Sequence, residues 1–186
     1  MNVVELHHRA VDAFDSRVAV VAEEQWDKAT ELPGWDVRTL VNHLVNENKW
    51  TPPLLGGSRI EDVGDRFDGD LLGGDPHAAW KESAAEAKAA VTEEAVERTV
   101  HLSFGDAPGS EYVMQLFADH LIHSWDLARA VDGDVGLDPE LVAACAQWFS
   151  SVEDDYRKGG AIGEAATIPP DADIQTVLLA RFGRTA

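Results

Sequence analysis

An aspartate and two histidines have the side-chain chemistry and the spacing of a metal site. Asp119 and His123 are four residues apart in an apolar stretch with helical periodicity. Side chains at that spacing lie on one face of a helix, with Cβ atoms about 5 to 6 Å apart. His43, in a second apolar helical stretch, is a candidate third ligand. Three protein ligands leave coordination positions open for water or substrate, which is the arrangement of catalytic zinc sites.

The apolar surroundings of these side chains need an explanation. Burying a carboxylate and an imidazole costs free energy unless a partner compensates for the lost water. A divalent metal is one such partner, and a direct hydrogen bond between Asp119 and His123 is another. The D-x-x-x-H pattern alone favours neither interpretation, so both stay open on this evidence.

Four neighbouring side chains could support the candidate ligands. His120 lies about 100° around the helix from the predicted carboxylate ligand, which places it behind the ligands or in the core. Glu47, one turn after the histidine of the other helix, could be a fourth ligand, a base or a solvated surface residue. Arg38 and Asp126 could form an ion pair that fixes the relative rotation of the two ligand-bearing helices, or they could contact substrate. No residue is assigned a catalytic role from the sequence.

The remaining histidines and the lone cysteine carry no such pattern. His7, His8, His77 and His101 have no acidic or histidine partner at metal-ligand spacing, so we predict that they lie on the solvated surface. Cys145 lies within an apolar helical stripe, which indicates a small core residue rather than a reactive thiol.

Apolar residues at helical spacing predict several long helices, with N-terminal caps at Asp36, at Asp75 before a proline and at Asp138 before a proline. The predicted ranges are 3–26, 37 to about 50, 77 to about 97, 111–131, a helix from 139, and 174–182. We expect an all-α fold, an antiparallel four-helix bundle with additional helices. Residues 100–104 alternate and form either a short strand or an extended approach to a turn. Residues 56–74 form a long loop that could cover a substrate.

Composition narrows the class of protein. The chain has 186 residues and 34 acidic against 15 basic side chains, a net charge of −19. This length predicts one domain over residues 1–186. Nucleic acid and anionic membranes are poor partners for such a charge. No apolar run is long enough to span a bilayer. A single cysteine and a start without a secretory signal favour the cytoplasm, and we expect a monomer or a homodimer.

Three segments together resemble one known family. Residues 32–44 resemble its P-x-W-x-V-x-x-L-x-x-H-L signature, and residues 119–128 resemble its acidic-x-x-x-H-x-W-D-L-A segment. Residues 178–184 are similar to the L-L-A-x-x-G-R ending of its single-domain members. The family is the DinB-like superfamily, in the branch of the mycothiol-dependent maleylpyruvate isomerase N-terminal domain and small actinobacterial metal-binding proteins.

The resemblance implies a divalent metal held by His43, Asp119 and His123 at one end of a helical bundle. Zinc is the metal expected first, and nickel suits the same donors. It also implies a low-molecular-weight thiol of the mycothiol type as cosubstrate and an electrophilic small molecule as substrate. The activity would be that of a metal-dependent thiol S-transferase or a thiol-assisted isomerase, and the alternative is a non-catalytic metal-binding or stress-related module. Maleylpyruvate isomerisation itself is not implied, because we expect no counterpart of that enzyme's second domain.

Overall fold

A computed structural model describes residues 1–160 and 162–185, which are mostly helical with one two-stranded sheet. The predicted all-α class is therefore confirmed. The chain divides into two compact units, Met1–Val135 and Gly136–Ala186, and its assignment to a single domain stays a prediction. No helix among the described residues combines the length and apolar character needed to cross a membrane.

The bounds of the helices and strands are as follows: α1 Val3–Val18, α2 Val37–Leu55, α3 Ile60–Val63, α4 Pro76–Ala90, β1 Thr99–Leu102, β2 Gly105–Pro108, α5 Gly109–Ala130, α6 Pro139–Lys158 and α7 Ile174–Arg181. Short 3₁₀ turns occupy Glu23–Gln25 and Ala95–Glu97. The predicted caps Asp36, Asp75 and Asp138 each accept a hydrogen bond from a backbone N–H of the first turn. These caps satisfy donors that would otherwise have no partner at the helix start.

Four helices of the first unit pack around a common core. α1 contacts α4 and α5, and α2 contacts the same two helices, so each of the four has two neighbours. Phe14 from α1 and Trp80 from α4 meet with ring centroids 4.6 Å apart. Leu44 from α2 and Leu127 from α5 are fully buried in the same core cluster. This packing holds α2 and α5, which carry the candidate ligands, against each other.

α1 is shorter than its apolar stripe predicts. The helix ends at Val18 rather than extending to residue 26. The Gln25 side chain accepts a hydrogen bond from the backbone N–H of Ala22 at 2.9 Å, which caps a separate 3₁₀ turn. Trp26 is still buried in the core cluster. The stripe was therefore a correct indication of burial, whereas the backbone changes direction between its two parts.

α2 is longer than predicted, because Pro52 and Pro53 lie inside its last turn. A proline removes a backbone donor and usually disfavours a helix interior. Here the turn is closed from its C-terminal side, where the N–H of Gly56 donates to the Pro52 carbonyl and the N–H of Ser58 donates to the Pro53 carbonyl, both at 2.9 Å. The prediction that the helix ends near residue 50 is wrong for this reason.

The Gly56–Gly74 segment is long but anchored. It contains the short helix α3, and its Leu72 side chain is buried in the core cluster of the first unit. Asn46 of α2 donates from its side-chain amide to the Phe67 carbonyl at 2.6 Å. That this segment covers a substrate stays a prediction.

Two more side chains of α2 hold the same segment. Asn42 donates to the Gly69 carbonyl at 3.0 Å and accepts from the Leu71 N–H at 2.7 Å. Arg38 makes an ion pair with Asp70, with Nη2 and Oδ2 2.8 Å apart. One edge of α2 is therefore occupied by the Gly56–Gly74 segment.

A β-hairpin precedes α5. β1 and β2 pair antiparallel, with His101 opposite Asp106, so the alternating residues 100–104 begin as a short strand. The chain then enters α5 at Gly109, where an added Cβ would lie 2.8 Å from the Ala95 carbonyl oxygen. Only glycine fits this close approach of two backbones. The hairpin thus fixes the start of the helix that carries two candidate ligands.

The second unit has its own small core. Phe149 of α6 and Phe182 after α7 stack with ring centroids 4.0 Å apart. Cys145 is fully buried, and this burial raises the pKa of its thiol to about 12. A thiol with that pKa is not a nucleophile at neutral pH. The structure therefore supports the interpretation of Cys145 as a core residue.

Candidate metal centre

α2 and α5 bring His43, Asp119 and His123 together at one place. The Nε2 atom of His43 lies 2.8 Å from Oδ2 of Asp119, and Nε2 of His123 lies 3.3 Å from Oδ1 of the same carboxylate. One ligand atom of each residue falls within 4.8 Å of the other two. The site is open on one side, because the side chains of His43 and Asp119 are 29% and 34% exposed while that of His123 is 9% exposed.

His123 is oriented by a second carboxylate. Its Nδ1 lies 2.8 Å from Oδ2 of Asp126, whose side chain is 1% exposed. When Nδ1–H donates a hydrogen bond to a carboxylate, the proton of a neutral imidazole stays on Nδ1 and the lone pair of Nε2 is available for a metal. Protein carboxylates commonly support metal-binding histidines in this way. Asp126 thus pairs with His123, and its role as support for a metal ligand stays a prediction. The expected ion pair between Asp126 and Arg38 is replaced, since Arg38 pairs with Asp70.

The three side chains form a charge cluster. Burial alone would lower the pKa of His123, but the charge of Asp119 and the hydrogen bonds to Asp119 and Asp126 raise it to about 9. For His43, burial likewise lowers the pKa and Asp119 raises it, and the net result is a raised pKa. Burial would raise the pKa of Asp119, but the two imidazoles hold it well below its ordinary value. Asp119 therefore stays ionised and attracts either protons or a cation to the two Nε2 atoms.

Glu47 lies one turn beyond His43 on α2 and is partly buried. Burial, with the negative charge of Asp119, raises the pKa of its carboxyl to about 7. The charges of Asp119, His43 and His123 all act on this carboxyl. It is not among the three whose donor atoms converge, so its role as a fourth ligand stays a prediction.

Trp35 contacts both candidate ligand imidazoles. Its ring stacks on His123 at a centroid distance of 5.9 Å with an interplanar angle of 23°. The same indole meets the ring of His43 at 5.2 Å and 56°. No spacing rule reveals this contact, because Trp35 lies in the turn before α2.

His120 points away from the candidate ligands into the core. Its Nδ1 lies 2.7 Å from the Leu116 carbonyl and its Nε2 lies 3.1 Å from the Asn48 side chain. Burial lowers the pKa of His120 to about 4, so the ring is neutral. Of the two positions that the sequence allowed for His120, the structure shows the core.

His7 corrects a prediction. We expected a solvated side chain, but its exposure is 0%, and neither ring nitrogen has a hydrogen-bond partner among the described residues. The ring meets His120 edge to face at a centroid distance of 5.7 Å. Burial, with the neighbouring His120, lowers the pKa of His7 well below its ordinary value. His7 falls on the apolar stripe of α1, and this was the signal that should have placed it in the core.

The donor set fits a divalent transition metal. Two imidazole nitrogens and one carboxylate oxygen are donors that zinc and nickel both accept. The structure supplies the other requirements, since the three donor atoms converge, one imidazole is fixed by Asp126, and the exposed side leaves room for a further ligand. Zinc and nickel are both compatible with this set.

Comparison with known proteins agrees with this geometry. Residues 7–128 match the family described as the mycothiol maleylpyruvate isomerase N-terminal domain. Both motifs that carried the resemblance lie within that range. The chain is also 31% identical over 147 residues to the uncharacterized protein Rv0738 of Mycobacterium tuberculosis strain H37Rv, and equally to the uncharacterized protein MT0763 of strain CDC 1551. Each match covers 76% of this chain and 74% of the relative.

Two solved structures share the fold. The crystal structure of the mycothiol-dependent maleylpyruvate isomerase superimposes with a TM-score of 0.63 at 16% identity, covering 92% of this chain and 77% of that chain. A histidine-to-alanine mutant of that enzyme gives a TM-score of 0.65 at 17% identity with the same coverage. Because the family match covers well over half of the chain, this protein belongs to the family of the mycothiol maleylpyruvate isomerase N-terminal domain.

Proposed function

We propose that this protein binds a divalent metal through His43, Asp119 and His123 and uses it to activate a low-molecular-weight thiol of the mycothiol type. The thiol then attacks an electrophilic small molecule, so that the protein acts as a thiol S-transferase or a thiol-assisted isomerase. The observation that carries the proposal is the convergence of three donor atoms from α2 and α5 within 4.8 Å.

Each residue has a separate task in this proposal. A divalent metal would act as a Lewis acid and favour the thiolate of a bound thiol, whose pKa is about 8.5 when free. His43, Asp119 and His123 hold the site, and Asp126 keeps Nε2 of His123 directed toward it. Glu47 is the residue that we propose as acceptor of the thiol proton, because it lies one turn from His43 on α2 and burial raises the pKa of its carboxyl to about 7.

The open side of the site supports a small-molecule substrate. The side chains of His43 and Asp119 are each about one third exposed, so solvent reaches part of both. In an S-transferase the sulfur forms a bond to carbon as a leaving group departs with its electron pair. In an isomerase the sulfur adds to a conjugated double bond and leaves again after rotation. Both reactions begin with the same thiolate, and the thiol class follows the family, that of the mycothiol maleylpyruvate isomerase N-terminal domain.

A conjugation assay tests the proposal. Metal-loaded protein is mixed with mycothiol and monochlorobimane, and the fluorescence of the conjugate is followed as the S–C bond forms and chloride leaves. The wild type and a His101→Ala variant, whose histidine lies in the hairpin, should turn over at equal rates. His123→Ala should fall to the uncatalysed rate. Wild-type protein that takes up metal but conjugates no faster than His123→Ala would contradict the thiol chemistry and favour the non-catalytic metal-binding module.

A further inference from the structure

The indole of Trp35 is shared by two imidazoles that come from different helices. It stacks on His123 and is tilted against His43, while the two imidazoles meet each other at 5.2 Å and 78°. The three rings therefore form one closed aromatic cluster around the candidate donor atoms. A ring stacked on an imidazole face restricts rotation of that imidazole and leaves its in-plane nitrogens free.

The turn that carries Trp35 is fixed by its own hydrogen bonds. The Trp35 carbonyl accepts from the backbone N–H and from the hydroxyl of Thr30, both at 2.9 Å. The Trp35 N–H donates to the Leu32 carbonyl at 3.0 Å. Gly34 supplies the left-handed backbone that the turn needs, with φ of 79°. The backbone that carries the indole is therefore fixed by the turn itself and not by the imidazoles that the indole contacts.

His43 depends on this indole more than His123 does. His123 has Asp126 on its Nδ1. Among the described residues, the side chain of His43 makes its hydrogen bond to Asp119, through the same Nε2 that a metal would use. Nε2 cannot hold a proton for Asp119 and donate its lone pair to an ion at once. Once that hydrogen bond is given up, the contact with Trp35 is what still orients the ring.

We propose that Trp35 is a positioning residue of the metal centre, which keeps Nε2 of His43, and secondarily that of His123, directed toward Asp119. The proposal rests on the metal-binding part of the proposed function. Orientation of this kind supports metal affinity without a bond to the ion. Trp35→Leu removes the flat ring face, and Trp35→Phe keeps one.

Trp26 offers a matched control. It is a tryptophan of the same unit that meets the ring of His77 at 5.2 Å, and it belongs to the same core cluster against which Trp35 packs. His77 is not a candidate ligand. Trp26→Leu therefore removes an indole, an aromatic contact with a histidine and core packing, but it touches no donor atom. Trp26 is also the more buried of the two, so a loss of stability alone would affect Trp26→Leu at least as much.

The experiment is a titration of metal-free full-length protein with Co²⁺, read by visible absorption of the bound ion, with thermal unfolding recorded in parallel. Trp35→Leu should weaken Co²⁺ binding about tenfold or more and change the absorption envelope, by analogy with other residues that support ligands. Trp35→Phe should recover most of the affinity, and Trp26→Leu should bind Co²⁺ as the wild type does.

The outcomes separate this inference from the proposed function. Equal Co²⁺ affinity and equal spectra for wild type and Trp35→Leu would overturn the role of Trp35 alone. An equal loss in Trp26→Leu would also overturn it, because the effect would then be general destabilisation. Wild-type protein that binds Co²⁺ but does not conjugate thiol would overturn the proposed thiol chemistry alone. Wild-type protein that takes up no Co²⁺ would overturn both.

Discussion

Asp119 gives the candidate site its character, because one carboxylate serves two imidazoles. Its two oxygens lie 2.8 and 3.3 Å from the Nε2 atoms of His43 and His123. In the metal-free protein this arrangement holds protons on the imidazoles, and His123 keeps its proton up to a pKa of about 9. A metal must displace those protons before it binds.

Metal affinity should therefore rise with pH. At pH 7 the His123 imidazole is protonated, since its pKa of about 9 lies above that pH. Uptake of a divalent ion releases the proton. For each proton released, the metal affinity should therefore increase by up to about tenfold for every pH unit between pH 6 and 9. Titration of metal-free protein with Zn²⁺ at several pH values, in buffers of different ionisation enthalpy, measures both affinity and protons released. A pH-independent affinity with no proton release would contradict the assignment.

Asp126 should matter through His123. Asp126→Asn keeps the size of the side chain but removes its charge, which weakens the hold on the Nδ1 proton of His123. We expect metal affinity to fall about tenfold to a hundredfold, as for other residues that orient metal-binding histidines. Asp106→Asn is a control, because Asp106 makes the same kind of contact with His101 in the hairpin at 2.6 Å. Equal metal affinity for Asp126→Asn and the wild type would show that Asp126 does not orient a ligand.

His7 should limit stability in acid. Its buried ring cannot accept a proton in the folded state, whereas an unfolded histidine binds one below about pH 6.5. A folded pKa below the unfolded value means that stability is lost as the pH falls through 6.5. His7→Leu removes this titration and should therefore lose less stability than the wild type as the pH falls from 7 to 5. Urea unfolding at both pH values tests this, and an equal loss in His7→Leu and the wild type would show that the His7 ring does not limit stability in acid.

At the level of elements, sequence patterns predicted starts better than ends. Asp36, Asp75 and Asp138 were recognised as caps because a carboxylate before an apolar helical stripe satisfies free N–H groups, and this is a local property. The end of α1 is closed by the N–H of Ala19, which donates to the Asp15 carbonyl, and the end of α2 by the N–H of Gly56, which donates to the Pro52 carbonyl. Such closures depend on neighbouring groups that a helical pattern does not encode.

The candidate ligands were predictable for a similar reason. Asp119 and His123 share one helix, so their spacing alone places them on one face. His43 was a candidate because it lies in a second apolar helical stretch, and the motif resemblance joined it to the other two, since no rule of periodicity aligns two separate helices. The contact of Trp35 with both imidazoles and the pairing of Arg38 with Asp70 depend on tertiary packing, and they became visible only in the structure.

Asn42 should be the main support of the Gly56–Gly74 segment. Its amide both donates to Gly69 and accepts from Leu71, so Asn42→Ala leaves two backbone groups without their partners. We expect a loss of about 1 to 3 kcal/mol in unfolding free energy and faster amide hydrogen exchange in residues 67–73. Thr39→Ala, an exposed substitution on the same helix, is the control. Unchanged exchange in Asn42→Ala would show that the contacts of Arg38, Asn46 and Leu72 hold the segment without it.

For the whole molecule, the net charge of −19 describes the surface rather than the site. The one acidic side chain among the converging donors is Asp119, which contacts one imidazole from α2 and one from α5. The match to the mycothiol maleylpyruvate isomerase N-terminal domain spans residues 7–128 and so includes every candidate ligand. We therefore propose that the first unit carries a metal centre made by three side chains of two helices.

The number of metal ions bound per chain is the decisive measurement for this metal centre. Protein purified without a histidine tag is stripped of metal, loaded with Zn²⁺, dialysed and analysed for metal content, beside His43→Ala, Asp119→Ala, His123→Ala and the control His101→Ala. The wild type and His101→Ala should each retain about one ion per chain, whereas the three ligand variants should lose binding, because removing one of three ligands leaves too few donors. Wild-type protein that retains well under one ion per chain, or ligand variants that retain as much as the wild type, would show that these three side chains do not form a metal centre.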